Sequence, residues 1–284
     1  MWVPMPEPLT LAIGRTARTK ALFTGAVADP ALPLDLPAFP DITRAFAPMV
    51  REGRFPSSEI AIATFLMAKS EGAPLVLLPC VLLQRFQDQA MFCRADSTLA
   101  GPPDLRGKRI GVRAYSQTTG MWLRGILQER YGIAPDEMRW ITYEDAHVAS
   151  FRDPPFVERA KPADKLADML LDGRLDAAIF GAVFPPDLRP VFPDAAAAAA
   201  DFRATYGFMP VNHLVCMRAD VAQARAAELP GLLALLRAAG ADVSTRAALN
   251  PALAVAARFC TAQGLTPRTL SLDEIWAGTP TTVE

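Results

Sequence analysis

The chain has 284 residues, of which 51% are hydrophobic and 21% are charged, and its formal net charge is −1. This length suits one large or two medium domains. The composition excludes a disordered chain, because it supplies enough apolar side chains for a core. The near-zero charge gives no sign of a basic surface, so we expect neither nucleic acid nor a membrane as a partner.

The first fifteen residues, MWVPMPEPLTLAIGR, do not form a secretion-signal pattern. They place three prolines and a glutamate before a short apolar run, and they lack a basic start. We therefore expect a cytoplasmic protein. The longest apolar runs, such as residues 75–83, are too short to span a bilayer and predict buried strands.

Disulfide and metal-binding patterns are both weak. The cysteines at Cys80, Cys93, Cys216 and Cys260 are widely spaced, so free buried thiols are favoured, although two disulfides would suit a secreted protein. The two histidines, His147 and His213, belong to no metal-binding motif. The sequence also contains no phosphate-loop motif and no dinucleotide-binding motif. We expect no metal and no cofactor.

Strand-like and helix-like patterns alternate along the chain. Strands are expected at residues 10–13, 75–78, 90–94, 110–112, 139–143, 175–180 and 214–217. Helices are expected from residue 20 onwards, at residues 60–68, from the turn at 115–119 to Tyr131, and at residues 164–171, 223–239 and 251–263. In this scheme Ser57-Ser58-Glu59 opens the helix at 60–68. Such alternation predicts an α/β fold with largely parallel sheets.

The segment at residues 104–131 is the most informative. A short strand is followed by the polar turn Tyr115-Ser116-Gln117-Thr118-Thr119 and then by an amphipathic helix. The start of a helix carries unpaired N–H groups and a positive dipole, so this turn suits an anion. The alternative is that Ser116 or Thr118 merely caps the helix. Arg124 lies beyond the first turn of that helix, which favours a structural salt bridge.

Several motifs together resemble the 4,5-dihydroxyphthalate decarboxylase family, which has the fold of type 2 periplasmic binding proteins. They are LRGKRIGV (105–112), the turn at 117–118, WLRGILQERYG (122–132), LADMLLDGRLDAAI (166–179), VFPD (191–194), GFMPVNH (207–213), SSE (57–59) and RTKAL (18–22). The chain is similar to a divergent member, because Thr16 and Ala17 replace an aromatic and an acidic residue of the family. Gln87-Asp88-Gln89 stands where the family often has an Arg-His-Ser run.

The resemblance implies two α/β lobes with a ligand cleft between them. One lobe would take residues 1–94 plus 195–284 and the other residues 95–194, with two chain crossings as the hinge. Such folds line the cleft with loops and helix starts, so the turn at Ser116–Thr119 is expected to be exposed there.

The resemblance also implies a set of site residues. His213 matches the family's histidine and, with Glu59, is a candidate proton donor. Arg18 could pair with a substrate carboxylate. Tyr115, Ser116, Gln117, Thr118 and Thr119 are the further substrate-binding candidates. For His213, Glu59 and Arg18 the alternatives are a half-buried structural histidine, a helix-start charge and a solvated surface arginine, respectively.

The implied activity is cofactor-independent decarboxylation of a hydroxylated aromatic carboxylic acid similar to 4,5-dihydroxyphthalate, a lyase reaction of aromatic compound catabolism. The alternative is a non-catalytic solute-binding protein for a small organic acid, which would use the same cleft without chemistry. Either function takes a small aromatic or organic acid as partner. The sequence favours the enzyme but does not decide between them, and it leaves open whether the chain forms a homo-oligomer.

Overall fold

The computed structural model describes residues 7–181 and 186–283. The strands are β1 (Leu9–Ala12), β2 (Leu34–Asp35), β3 (Ser57–Ala61), β4 (Leu75–Gln84), β5 (Met91–Arg94), β6 (Arg109–Val112), β7 (Arg139–Thr142), β8 (Val157–Arg159), β9 (Ala177–Ile179), β10 (Leu188–Pro190), β11 (Val211–Arg218) and β12 (Asp242–Val243). The helices are α1 (Lys20–Phe23), α2 (Thr43–Glu52), α3 (Ile62–Ser70), α4 (Thr118–Tyr131), α5 (Leu166–Leu171), α6 (Ala195–Tyr206), α7 (Ala219–Ala224), α8 (Leu229–Ala239), α9 (Arg246–Ala262) and α10 (Leu272–Trp276).

The described residues form two compact units. The first takes the chain up to Gln84, Val211–Ala254 and the residues from Leu270 on, and the second takes Arg85–Pro210 and Val255–Thr269. The chain therefore crosses between the units four times, and α9 begins in the first unit and ends in the second.

The first unit is built on a six-stranded sheet in the order β12-β4-β11-β3-β1-β2. β1 runs parallel to β2 and β3, and the remaining pairings are antiparallel. Alternate residues of these strands face one way, so Leu11 and Leu78 pack against Leu232 and Leu236 of α8 in one buried cluster. Full burial of each such side chain contributes about 1.5–3 kcal/mol.

The second unit has a six-stranded sheet in the order β10-β5-β9-β6-β7-β8. β9, β6, β7 and β8 are parallel neighbours, while β5 and β10 are antiparallel. One of the two glycines of α4 allows another helix to pack closely against it. A Cβ atom at Gly125 would lie 2.0 Å from the ring of Phe259, so only glycine lets that ring rest on α4 beside Trp122.

The α/β class predicted from the sequence is confirmed, but both sheets are mixed rather than largely parallel. The unit boundaries also differ from the predicted lobes. β5 (Met91–Arg94) pairs with β9 and β10, which carries residues 85–94 into the second unit. Residues 195–210 and 255–269 belong to that unit as well, the latter through contacts such as that of Phe259 with α4.

The prediction that Glu59 opens a helix is wrong. Residues 57–61 form β3, a central strand that pairs with β1 on one side and β11 on the other, and the helix begins only at Ile62. The end of β3 and most of α3 are both fully buried, so a mainly apolar run extends from Ile60 to Ala68 without marking where the strand ends and the helix begins.

In the described residues, no helix combines the length and apolar character needed to cross a membrane. Cys80, Cys93, Cys216 and Cys260 are all free and buried, as the sequence analysis favoured.

Candidate functional site

A carboxylate and an imidazole meet in the first unit. In the antiparallel pairing of β3 with β11, Glu59 lies opposite Val215 and Ala61 lies opposite His213. Opposite residues share a face and so do residues two apart, which makes Glu59 and His213 diagonal neighbours on one face of the sheet. Their side chains touch: Glu59 Oε1 lies 2.6 Å from His213 Nδ1. The register of two strands therefore builds this pair.

Glu59 is held on both oxygens. Its Oε2 accepts a hydrogen bond from the backbone N–H of Gly14 at 2.9 Å, while Oε1 faces His213. The Glu59 side chain is only 4% exposed, so these partners replace the water that a buried carboxylate requires. Gly14 suits this close approach, because a Cβ atom there would lie 3.4 Å from Oε2 and 3.3 Å from Ile42 Cγ2.

His213 presents its other nitrogen away from Glu59. The ring is 15% exposed, and Phe46 of α2 packs edge-on against it with the ring centroids 5.2 Å apart. Among the described residues, none hydrogen-bonds to Nε2. A carboxylate at Nδ1 fixes the ring orientation and favours the tautomer with the proton on Nδ1, so Nε2 is the nitrogen available to a ligand. Such a pair can take up a proton and deliver it.

Arg18 lies in the turn that leads from Gly14 to α1. Thr19, which is buried, organises this turn by donating to the Gly14 carbonyl and accepting from the N–H of Thr16. Arg18 itself is half-buried, its backbone lies beside Gly240, and no described residue forms an ion pair with its guanidinium. The structure thus joins Glu59 with His213 directly, and it places Arg18 four residues after the glycine that binds Glu59.

The second unit contains the polar turn. α4 begins at Thr118, and its N-cap residue is Gln117, whose side chain makes no capping hydrogen bond. Neither Ser116 nor Thr118 occupies the N-cap position, so the capping alternative is wrong. The first turn of α4 also holds no acidic residue that would neutralise the helix dipole. This helix start therefore keeps the positive character that attracts an anion.

The side chain of Arg85 also contacts the start of α4. Arg85 donates from Nη2 to the hydroxyl of Thr119 at 3.1 Å, and its buried Nε has no hydrogen-bond partner among the described residues. Burial lowers the pKa of the Arg85 guanidinium, which nevertheless stays charged because arginine starts from so high a value. Arg85 was missed in the sequence, because it lies two residues before the Gln87-Asp88-Gln89 run and matches no motif.

The turn is less exposed than predicted. Ser116, Thr118 and Thr119 are only 4–5% exposed, and Gln117 alone keeps intermediate exposure. The Gln117 Oε1 atom is buried without a hydrogen-bond partner in the described part of the chain. Any anion held here would be shielded from water, which strengthens each polar contact that it makes.

Tyr115 needs a correction as a substrate-binding candidate. It is fully buried, its ring packs edge-on against Trp140 and Phe156, and its hydroxyl donates to the backbone carbonyl of Gln263. Tyr115 follows the end of β6 by three residues, and because these neighbours enclose its ring it supports the turn from the buried side. The salt bridge expected for Arg124 is also absent among the described residues, where this guanidinium instead contacts Tyr115 and Gln263.

The known proteins that are similar to this chain include both enzymes and binding proteins. The family model described as NMT1/THI5 like matches residues 48–153. Over 243 residues, which are 79% of this chain and 72% of the relative, the sequence is 27% identical to a 4,5-dihydroxyphthalate decarboxylase of Comamonas testosteroni. The resemblance inferred from the sequence motifs is therefore confirmed at low identity.

Solved structures with the same fold include a binding protein and an enzyme. The periplasmic aliphatic sulphonate binding protein SsuA from Escherichia coli aligns with a TM-score of 0.56 at 14% identity, over 96% of this chain and 82% of that one. The desulfurization enzyme DSZB aligns with a TM-score of 0.51 at 18% identity, over 98% of both chains. The predicted type 2 periplasmic-binding-protein fold is thereby confirmed.

Proposed function

We propose that this divergent relative of the 4,5-dihydroxyphthalate decarboxylases is itself a cofactor-independent decarboxylase of a hydroxylated aromatic carboxylic acid. One observation carries the proposal: a buried carboxylate binds His213 Nδ1 at 2.6 Å and leaves Nε2 without a partner among the described residues. A protein that only binds a solute has no need of an oriented proton donor, whereas protonation of a ring carbon requires one.

The proposed reaction begins with protonation of the ring. A ring hydroxyl ortho or para to the carboxylate pushes electrons to the carbon that bears it, and that carbon takes the proton of the His213 imidazolium at Nε2. The bond between this carbon and the carboxylate then breaks, CO₂ leaves, and the bonding electron pair restores the aromatic ring. His213 regains a proton from solvent, so the net change is exchange of CO₂ for one proton.

Glu59 has a positioning role in this proposal. Both of its oxygens are engaged, by His213 and by the Gly14 N–H, and it is almost fully buried. It therefore acts through His213, whose ring it orients. The sequence had offered His213 and Glu59 as alternative acids, and the contacts favour His213.

The helix start of α4 is proposed to bind a carboxylate of the substrate. The support is the dipole of the α4 N-terminus, whose first turn holds no acidic residue, and the Arg85 guanidinium that donates to Thr119. Arg18 keeps its proposed role as a second cation for a carboxylate, supported by the absence of an ion pair to it among the described residues.

A cytoplasmic location is part of the proposal. It is supported by the four buried free thiols, a pattern typical of proteins in a reducing compartment. The partner would be a small aromatic acid. Cell fractionation of the natural host, with an antibody to the protein, tests the location directly.

The decisive experiment follows both CO₂ and the incoming proton. The purified protein is incubated in D₂O with a panel of hydroxylated aromatic acids, including 4,5-dihydroxyphthalate, and the products are analysed by NMR. We expect CO₂ release and one deuterium on the carbon that had carried the carboxylate. His213→Ala should abolish both, whereas Arg174→Gln, which changes an exposed ion pair, should leave both intact.

The second candidate is a solute-binding protein for a small organic acid. It is favoured by the features of the α4 start that suit an anion, because they can hold a ligand without any reaction. It is also favoured by the similarity in fold to a sulphonate binding protein. Tight calorimetric binding of an acid from the panel, with no CO₂ released and no deuterium incorporated, would establish this function and refute the decarboxylase.

A further inference from the structure

Arg124 is a buried cation directly behind the first turn of α4. It is fully buried, and its Nη1 atom has no hydrogen-bond partner among the described residues. That nitrogen lies beside the first turn of α4, because a Cβ atom at Gly120 would lie 3.1 Å from it. No described residue forms an ion pair with Arg124. Leaving a charge buried in this way is costly, and it requires a compensating feature nearby.

The other contacts of Arg124 fix its place without neutralising it. Nε donates to Gln263 Oε1 at 2.7 Å, and Nη2 donates to the backbone carbonyl of Tyr115. The guanidinium lies over the rings of Tyr115 and Trp140, at 3.8 and 4.9 Å from their centroids. Carbonyl oxygens and aromatic faces stabilise a cation but leave its net charge in place. Burial lowers the pKa of Arg124.

Gln263 ties this cation to the helix. Its Nε2 donates to the Met121 carbonyl at 2.8 Å while its Oε1 accepts from Arg124, and its backbone carbonyl accepts from the Tyr115 hydroxyl. Tyr115 begins the polar turn and Met121 lies in the first turns of α4. Arg124 and Gln263 thus connect the residues on both sides of Ser116–Thr119 from the buried side.

We propose that Arg124 is a positioning residue of the anion site at the α4 start, and that its buried positive charge is balanced by the anion that binds there. Three sources of positive potential then converge on one place: the helix N-terminus, Arg85 and Arg124. The inference rests on the proposed function only in assigning an anion to this turn. It adds that the affinity of this site for its anion depends on the charge of Arg124, a residue that does not contact the anion.

Gln263→Glu adds a counter-charge. The new carboxylate keeps an oxygen acceptor for Arg124 Nε and neutralises the cation, but it loses the Nε2 donor to the Met121 carbonyl. Gln263→Met loses both hydrogen bonds without adding a charge, so it controls for that loss. Arg124→Met removes both the charge and the hydrogen bonds. Arg130→Met is the matched control, because Arg130 is a mostly buried arginine of the same helix whose partners are the Ala198 carbonyl and Asp201.

Binding is measured from the amide signals of Thr118, Thr119 and Gly120 in NMR titrations with inorganic sulfate and with 4,5-dihydroxyphthalate, at constant ionic strength. We expect the wild-type signals to shift. In Gln263→Glu the dissociation constant should rise about tenfold, as expected when a buried charge near the ligand is neutralised. Gln263→Met should bind the anion more tightly than Gln263→Glu does, and Arg130→Met should bind as the wild type does.

Two results overturn the inference. Unchanged affinity in Gln263→Glu would show that the charge of Arg124 plays no part, even if Arg124→Met fails to fold. Wild-type amides that respond to neither probe would show that no anion binds at this turn. Failure of the proposed function is distinct, since these signals can shift with sulfate while no acid of the panel releases CO₂.

Discussion

Glu59 Oε1 lies 2.6 Å from His213 Nδ1 although 154 positions separate the two residues in sequence. The contact exists because β3 and β11 pair in one register, with Glu59 opposite Val215. A shift of either strand by one residue would move one partner to the other face of the sheet. The proposed proton donor is therefore positioned by the sheet itself.

Glu59→Gln tests whether the carboxylate orients and charges His213. In this variant the side-chain amide oxygen of residue 59 must accept the hydrogen bond from the Gly14 N–H. The amide nitrogen then faces His213 Nδ1, and because it is a donor it forces the histidine proton onto Nε2. The imidazolium also loses its counter-charge. We expect kcat for CO₂ release to fall about 10²–10⁴-fold with little change in KM.

The control for this variant is Glu52→Gln, which changes an exposed carboxylate paired with Arg54 at the end of α2. It should leave kcat unchanged. If Glu59→Gln retains kcat within about threefold of the wild type, where general acid–base catalysis contributes 10²–10⁴-fold, the proposed role of the pair is refuted.

His213→Ala should also reveal the cost of an unpaired buried carboxylate. Without the imidazole, Glu59 keeps the Gly14 N–H as its described partner, and we expect the free energy of unfolding to fall by about 1–3 kcal/mol at neutral pH. Adding Glu59→Gln removes the charge and should recover part of this loss. Urea unfolding of both single variants and the double variant measures it. Strictly additive losses would contradict an interaction between the two side chains.

The sequence predicted local features well and distant ones poorly. The strand, turn and helix at 109–131 were correct because their signals lie within 25 residues of one another, and the structure has β6 and α4 there. β3 was read as part of a helix because its identity as a strand depends on β11, more than 150 residues away. No local pattern reports such a pairing.

The site residues also divide into those that local sequence predicts and those that depend on distant contacts. The polar turn and His213 were found from the helix start and from the resemblance to a family. Arg85 was missed, because its contact with Thr119 spans 34 positions and no motif surrounds it. Tyr115 was assigned to the ligand because of its place in the turn, yet Trp140 and Phe156 enclose it. Burial by distant elements cannot be read from a turn sequence.

Arg85→Gln tests the cation at the α4 start. A hydrogen bond to a charged ligand is worth about 1.5–3 kcal/mol, so the dissociation constant for 4,5-dihydroxyphthalate should rise about tenfold or more. Added salt should weaken binding more in the wild type than in the variant, because the lost contact is partly electrostatic. Calorimetry measures both. The exposed Arg174→Gln is the control, and equal affinities for the two variants would exclude Arg85 from the site.

The buried thiols predict how stability depends on pH above neutrality. Burial raises the pKa of Cys80 and of Cys260 to about 12, from an ordinary value of 9.0. Well below pH 9 these thiols are protonated in both the folded and the unfolded chain, so they add no pH dependence. As the pH rises through 9 the unfolded chain loses their protons while the folded chain keeps them. Unfolding then releases protons, and stability falls as the pH rises towards 12.

Each such thiol contributes up to about 1.4 kcal/mol of lost stability per pH unit in this window. We therefore expect Cys80→Ala to have a shallower decline of unfolding free energy between pH 9 and 11 than the wild type, as measured by urea unfolding at matched ionic strength. Cys260→Ala should behave in the same way in the second unit. Identical slopes in wild type and variants would mean that these thiols already ionise in the folded protein. In that case a thiol reagent would modify them in the folded protein, without denaturant. We instead expect these thiols to react rapidly only after the chain has been unfolded.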